Sequence, residues 1–121
     1  MTTEGARTSG PRGYVIGYLT DVRVGPEIFE YIERIESTFE PYGGEWLVHG
    51  TKPDVVEGRA PGDVVIIGFP SWDAVQEWWN SAEYRAIAQL RIDNARSVIM
   101  LQKGVPDGYR AAETVAKLRQ A

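Results

Sequence analysis

A single histidine, His49, is the residue of this sequence best suited to proton transfer. A free imidazole titrates at about pH 6.5, so it accepts and donates protons under physiological conditions. Side-chain alternation along a strand would place His49 on the same face as Leu47, just before a long connection. The alternative is a hydrogen-bonded residue at the end of a strand, without a catalytic role.

Arg91 and Asp93 lie near the end of the second helical region, just before the last predicted strand. An arginine at the rim of the gap between helices and sheet could hold a carboxylate or an enolate with two parallel hydrogen bonds. The competing interpretation is a surface Arg–Asp pair that contributes little to stability. Glu57 and Arg59 lie in the long connection, where they could form a lid or remain solvated. Arg91 is therefore a candidate catalytic residue, and Asp93 and Arg59 are candidate substrate contacts.

Four tryptophans and six tyrosines are many for 121 residues, and they provide candidate walls for a small-molecule pocket. Tyr18 lies on the first predicted strand, and its hydroxyl would enter a pocket if its strand face lies under the helices. Trp78 and Tyr84 lie in the second helical region, where we expect them to contact a substrate. The same aromatic surface is equally typical of a well-packed core.

Composition and motifs argue against several kinds of site. The chain has no cysteine, and a lone histidine without a paired ligand in the sequence does not make a metal site. No Gly-x-Ser-x-Gly, Gly-x-Gly-x-x-Gly or P-loop motif occurs, so neither that type of serine nucleophile nor a bound nucleotide is indicated. We therefore expect no metal and no cofactor.

The charge balance disfavours nucleic acid as a partner. The chain has 13 Lys and Arg against 17 Asp and Glu, which gives a net charge of −4. No apolar run approaches the roughly 20 residues that a bilayer-spanning helix needs. The first residues also lack the apolar core of a secretory signal. We expect a cytoplasmic protein that binds neither nucleic acid nor a membrane.

The spacing of apolar residues predicts a βαββαβ order, which is that of a ferredoxin-like α+β domain with a four-stranded antiparallel sheet. Pro26 opens the first helix, and its apolar stripe contains Ile28, Ile32, Ile35 and Phe39. An extra helix follows at the C-terminus. The predicted units are a flexible N-terminal tail, the ferredoxin-like domain and a C-terminal helical extension, over residues 1–12, 13–104 and 105–121.

Local signals predict where these elements begin and end. Ser71 and Ser81 are each placed to cap a helical piece, because their hydroxyls can accept hydrogen bonds from free backbone N–H groups. A short extended piece is predicted over 55–57, and the final helix over about 109–119. The predicted strands span, in order, 14–20, 45–50, 63–69 and 96–101.

The two central strands of this fold carry consecutive apolar residues, Val15-Ile16 in the first and 64–67 in the third. Because successive side chains point to opposite faces, these runs place apolar surface on both sides of the sheet. Helices cover only one side, so we expect an identical subunit to cover the other, as in a dimeric α/β barrel. The alternative is that the C-terminal helix folds back over its own sheet.

Four short motifs resemble a known family. From about Tyr14 to Gly104 the chain is similar to the domain of unknown function 1330 family, which belongs to the dimeric α/β-barrel superfamily. The resemblance implies a ferredoxin-like fold and a homodimer whose sheets face each other. The motifs are, in chain order, Gly43-Gly44, Val56-Glu57-Gly58, Phe69-Pro70-Ser71 and Trp79-Asn80-Ser81-Ala82-Glu83-Tyr84.

The resemblance also bears on two candidate residues. The second strand of the family usually ends in Arg-Gly-Gly, whereas this sequence has His49-Gly50-Thr51, so a titratable group replaces a fixed cation. Arg91 matches a family arginine, which strengthens its assignment as an anion clamp. The wider superfamily includes cofactor-free monooxygenases, isomerases, cyclases and ligand-sensing modules, so the resemblance leaves the activity open.

We therefore expect a small-molecule-binding homodimer that acts as a cofactor-independent enzyme, transferring protons in the manner of an isomerase or cyclase of a biosynthetic pathway. His49 would move the proton, Arg91 would hold the oxyanion, and Tyr18 would frame the substrate. Two alternatives remain open at this point. One is a ligand-binding or sensing module without turnover, and the other is a cofactor-free monooxygenase.

Overall fold

The structure, a computed structural model, describes residues 11–121. Within this range, the chain forms four strands and four α-helices in the order β-α-β-β-α-α-β-α, and a 3-10 turn follows the first helix over Glu40–Tyr42. The predicted N-terminal tail falls outside the described residues except for its last two positions. The strands are β1 (Gly13–Thr20), β2 (Glu45–Val48), β3 (Asp63–Phe69) and β4 (Arg96–Lys103). The helices are α1 (Pro26–Phe39), α2 (Trp72–Trp79), α3 (Ala82–Ile92) and α4 (Ala111–Gln120).

The four strands form one antiparallel sheet in the order β2-β3-β1-β4. The central strand β1 pairs with β3 on one side, where Ile16 faces Ile66, and with β4 on the other, where Ile16 faces Met100. Together with the βαββαβ sequence of elements, this order is the ferredoxin-like α+β arrangement. The predicted fold is confirmed.

Local chemistry sets the helix starts as the sequence predicts. Pro26 occupies the first turn of α1, where its missing N–H costs nothing. The hydroxyl of Ser71 accepts a hydrogen bond of 3.0 Å from a backbone N–H of α2. The hydroxyl of Ser81 accepts one of 3.2 Å from the Tyr84 N–H and donates one of 2.7 Å to the Trp78 carbonyl. Ser81 therefore starts α3 and also ties it to the end of α2.

Side chains of the sheet alternate between a covered and an open face. On β1, Val15 and Gly17 are buried, and Val15 belongs to the core beneath the helices. Ile16 and Tyr18 point to the opposite face, and on the neighbouring β4 the side chain of Val98 is 56% exposed there. Every residue of α4 is exposed, so this helix does not fold back over the open face.

The hydrophobic core lies between the covered face of the sheet and helices α1, α2 and α3. Its rings contact one another edge to face or tilted, as Phe39 does with Phe69 at 6.4 Å between ring centroids. The largest side chains that are almost fully buried are Trp78, Tyr84, Phe69, Ile67, Ile87 and Val75.

A register shift in β2 changes the face of His49. The pairing of β2 with β3 shifts between Trp46 and Val48, which accommodates Leu47 as an extra residue. Leu47 lies against Gly68 on the open side, whereas His49 stacks on Trp46 with ring centroids 4.1 Å apart. The expectation that His49 and Leu47 share a face is wrong, because the irregularity breaks the alternation on which it rested.

The apolar stripe of α1 differs from the prediction at one position. Ile28, Ile35 and Phe39 are buried as expected, but Ile32 is 43% exposed. Tyr31 packs against the core in its place. Both residues satisfy the spacing of three and four from Ile28 and Ile35, so the difference is set by the tertiary contact: Tyr31 lies on the side of α1 that meets Tyr84 of α3.

Element boundaries shift by a few residues in several places. β2 ends two residues before its predicted end, β4 extends two residues further, and α4 begins two residues later. The connection between β2 and β3 is exposed over 51–60 and contains no strand, so the short extended piece predicted there is absent. Among the described residues, no helix combines the length and apolarity that crossing a bilayer requires.

Candidate functional site

A cavity of about 420 Å³ lies between the covered face of the sheet and helix α1. Most of its lining is apolar, and residues from all four strands and from α1, α2 and α3 contribute. Gly17 leaves space on the sheet side of the cavity, because it has no side chain. A Cβ atom there would lie only 3.1 Å from Cδ1 of Ile99, which also lines the cavity. The polar and aromatic lining residues include Tyr31, Trp46, His49, Trp78, Tyr84 and Arg91.

Arg91 lies at the buried end of the cavity. It belongs to the last turn of α3, and the residue is only 6% exposed. Its Nη2 atom donates to the hydroxyl of Tyr84 at 3.3 Å, and its guanidinium carbon lies 5.9 Å from the ring centre of Tyr31. Its Nε–H is buried without a hydrogen-bond partner among residues 11–121. The guanidinium therefore retains unused donor capacity beside the cavity.

The positive charge of Arg91 is incompletely compensated. Among the ion pairs of the described residues, none joins a carboxylate to Arg91. Burying a charge without a partner costs several kcal/mol of free energy, whereas the negative end of the α3 dipole stabilises a cation by only about 0.3–1 kcal/mol. Burial opposes the charged form, but the phenol oxygens of Tyr84 and Tyr31 outweigh it and raise the pKa of Arg91 above its ordinary value. The residue is thus a permanent cation.

Two phenols from different helices meet beside this guanidinium. The hydroxyls of Tyr31, on α1, and Tyr84, on α3, are 2.8 Å apart, and their rings pack edge to face at 6.3 Å. Burial, with the neighbouring Tyr84, raises the pKa of Tyr31 well above its ordinary value near 10, against the opposing effect of Arg91. Tyr31 is therefore a neutral phenol at physiological pH and does not serve as an anionic partner for Arg91.

Trp78 fixes the position of Tyr84. Its indole Nε1–H donates to Oγ1 of Thr38 at 2.9 Å, and its ring lies 4.5 Å from the ring of Tyr84. Trp79 packs on another side of Tyr84 at 5.2 Å, and the guanidinium of Arg85 covers Trp79 at 4.5 Å. The phenol beside Arg91 is thus held by rings that are themselves hydrogen-bonded or stacked.

The exposed end of the cavity has a different character. His49 is exposed there and stacks on Trp46, whose Nε1–H donates to a carboxylate oxygen of Glu36 at 2.8 Å. Lys52 and Asp63 also line this end, with Nζ and Oδ1 4.0 Å apart. The mouth therefore holds an imidazole in contact with solvent, and its single lysine has an acidic neighbour.

The structure brings four of the predicted site residues to one cavity and leaves three outside it. His49, Trp78, Tyr84 and Arg91 line the cavity. Tyr18 does not, because alternation along β1 places it on the open face of the sheet rather than under the helices.

Asp93 and Arg59 also lie away from the cavity. Asp93 is exposed, and its carboxylate accepts a hydrogen bond of 2.7 Å from Gln89 instead of pairing with Arg91. Arg59 lies in the exposed connection between β2 and β3 and is not part of the cavity lining. Arg91 faces inward from the last turn of α3, whereas Asp93 follows the helix as its C-cap, so the two residues do not form a pair.

Sequence reasoning missed Tyr31 and Trp46 as cavity residues. The signal for Tyr31 was its spacing of three from Ile28 and four to Ile35, which puts a polar tip on the buried face of α1. Trp46 lies on the inward face of a short strand, and no local pattern marks it as a neighbour of His49. Among the described residues, no cluster of three His, Cys, Asp or Glu side chains could hold a metal ion.

The fold and the cavity define a class: a small ferredoxin-like α+β domain with an apolar cavity that ends at a buried arginine. Residues 12–105 match the family model described as "Domain of unknown function (DUF1330)". The chain belongs to this family. No functionally curated protein matches the sequence.

Two solved structures with a similar fold belong to proteins described as of unknown function or as hypothetical. A protein of unknown function from Rhodopseudomonas palustris has a TM-score of 0.59 and 20% identity, over 84% of this chain and 88% of that chain. A hypothetical protein from Arabidopsis thaliana has a TM-score of 0.54 and 15% identity, over 85% of this chain and 95% of that chain. At these identities the likeness concerns the fold alone.

The raised pKa of Tyr31 predicts a loss of stability at high pH. In the unfolded chain this phenol ionises at about pH 10, whereas in the folded chain it keeps its proton, so the folded state binds more protons above that pH. Relative to Tyr31→Phe, the free energy of unfolding should fall by about 1.4 kcal/mol per pH unit above about pH 10. Urea unfolding of both proteins between about pH 9 and about pH 11 measures this. A constant difference between the two would contradict the burial of this hydroxyl.

Proposed function

We propose that this chain binds a small, largely apolar organic molecule in the cavity between α1 and the sheet. The observation that carries the proposal is the cavity itself, about 420 Å³ in volume, with an apolar lining and a few polar groups at its two ends. This volume lies within the roughly 300–1,000 Å³ that is common for small-molecule sites. The ligand would enter beside His49 and extend towards Arg91.

The shape of the cavity supports a ligand rather than a packing defect. Packed protein interiors leave few voids larger than a water molecule, so an apolar cleft of this size next to the core is not what close packing alone would produce. Gly17 supports the same interpretation, because any side chain at this position of the central strand would project into the space. An uncharged ligand would gain free energy simply by covering the apolar walls.

A substitution at Gly17 tests whether the cavity is the binding site. Gly17→Val adds its Cβ near the flexible end of Ile99 and extends two methyl groups towards the cavity, so it should fill space without disrupting the fold. We expect the affinity for N-phenylnaphthylamine, an uncharged fluorophore, to fall about tenfold in a fluorescence titration.

Thr20→Val is the matched control, since it lies on the same strand but on the open face. It should leave the affinity unchanged. Equal binding to the wild type and to Gly17→Val would exclude the cavity as the site of this probe, and no saturable binding to the wild type would refute the proposal.

Proton transfer by His49 is the second candidate function. The observation in its favour is the position of the imidazole, which lines the cavity and is also exposed, so it can exchange protons with solvent and reach a bound ligand. The stack on Trp46 holds the ring in one orientation. A carbon acid bound in the cavity would present its acidic C–H to this ring, with no cofactor required.

Hydrogen–deuterium exchange of octan-2-one in D₂O, followed by NMR, tests this role. If His49 acts as the base, the wild type accelerates exchange at the carbons next to the carbonyl, and His49→Gln lowers the accelerated rate about 10²–10⁴-fold. The affinity of His49→Gln for N-phenylnaphthylamine should stay unchanged. Equal exchange rates in the wild type and the variant would remove His49 as the base while leaving ligand binding intact.

We also propose that a second copy of the chain covers the open face of the sheet. Apolar side chains support this, because Ile16, Ile66 and Met100 pair across its centre, while Leu47 and Val98 are 46% and 56% exposed near its edges. Contiguous apolar surface of this kind is typical of a subunit interface.

A charge at the centre of this face should prevent association. Ile66→Lys places an ammonium group where a second sheet would pack, so we expect a monomer in sedimentation velocity while the wild type sediments as a dimer. Ile92→Lys, an equivalent change at an exposed position of α3, should leave the dimer intact. A wild-type protein that stays monomeric at high concentration would refute this interface.

A further inference from the structure

The buried end of the cavity offers more hydrogen-bond donors than acceptors. The Nε–H of Arg91 is buried, and it has no acceptor among the described residues. The guanidinium group carries five N–H donors and no acceptor, and the groups that face it are two phenol oxygens, those of Tyr84 and Tyr31. A group that accepts hydrogen bonds would therefore complete this end of the site.

The two phenols add a further donor. Tyr31 and Tyr84 have two hydroxyl hydrogens between them, and the bond that joins their oxygens uses one. The bond from Arg91 occupies a lone pair of Tyr84 rather than a hydrogen. One phenolic hydrogen is thus left over, whichever tyrosine donates to the other. It lies beside the guanidinium, since both hydroxyls belong to the same small cluster.

The charge at this end matches a monoanion. Among residues 11–121, Arg91 is the only cation that lines the buried end, while Lys52 lies at the exposed end with Asp63 as its neighbour. A group with two negative charges, such as a phosphate monoester, would leave one charge without a partner in apolar surroundings. The walls between the two ends are apolar, so the rest of the ligand must be apolar and uncharged.

We infer that Arg91, Tyr31 and Tyr84 form a carboxylate-binding subsite, and that the ligand class is monocarboxylic acids with an uncharged, apolar body. One carboxylate oxygen accepts the Nε–H of Arg91, and the other accepts the remaining phenolic hydrogen. The inference rests on the proposed function, because it requires the cavity to be the binding site. It goes further by naming the chemical group that the buried end recognises.

Isothermal titration of the wild-type chain with octanoate, octan-1-ol, octylammonium and octyl phosphate tests the ligand class. These probes share one apolar body and differ only in the head group. We expect octanoate to bind about 10- to 100-fold more tightly than octan-1-ol, because hydrogen bonds to charged groups are stronger than neutral ones. Octyl phosphate should bind more weakly than octanoate, and octylammonium should not bind measurably.

Three variants locate the preference. Arg91→Met removes the charge at similar length, and it should abolish the preference for octanoate over octan-1-ol. The double variant Tyr31→Phe/Tyr84→Phe keeps the guanidinium and both rings but removes both phenolic hydrogens, and it should weaken octanoate several-fold with a smaller effect on octan-1-ol. Arg34→Met is the matched control, since Arg34 lies on the exposed side of α1, pairs with Glu30 and is not part of the cavity lining. It should leave both affinities unchanged.

The outcomes separate this inference from the proposed function. Equal affinity for octanoate and octan-1-ol overturns the carboxylate subsite, although the cavity remains a binding site. Binding of neither ligand overturns both proposals. A preference for octanoate that survives Arg91→Met, or that Arg34→Met removes, also overturns the subsite. If Arg91→Met does not fold, the wild-type selectivity and the effect of the double variant Tyr31→Phe/Tyr84→Phe decide the question in the same way.

Discussion

A buried guanidinium constrains everything that surrounds it, because a charge in apolar surroundings is tolerated only where polar groups contact it. Arg91 meets this condition through two phenol oxygens that come from different helices. The 2.8 Å contact between Tyr31 and Tyr84 fixes how closely α1 and α3 approach each other at this point. Trp78 then holds Tyr84 from the core side through its bond to Thr38. The polar cluster is therefore a packing constraint as well as a candidate site.

The sheet separates this cluster from a second apolar surface. Alternation along β1 sends Val15 and Gly17 towards the helices and Ile16 and Tyr18 away from them. The absence of a side chain at Gly17 leaves room on the covered face. On the open face, the large side chains of Ile16 and Tyr18 remain partly exposed in the single chain. The same eight-residue strand thus contributes to a cavity and to a candidate interface, and substitutions at adjacent positions should affect different properties.

The fold was predictable from the sequence because its signals are local. Pro26, Ser71 and Ser81 mark helix starts through their own backbone chemistry, and the order of strands and helices restricts the topology. The site was predictable only in part. His49 and Arg91 were identified by residue type, but the face of His49 depends on a register shift between paired strands, and the link from Arg91 to Tyr31 is a contact between distant segments. No spacing along one element encodes either relation.

The aromatic lining gives the molecule its own optical reporter. Three of the four tryptophans, at positions 46, 78 and 79, line the cavity, whereas Trp72 lies elsewhere with the Lys103 ammonium group 5.7 Å from its ring. Indole emission depends on the polarity and hydration of its surroundings. Occupation of the cavity would therefore change the emission of most of the tryptophans of the chain. Ligand binding can thus be followed by intrinsic fluorescence, without a dye, a label or a known reaction.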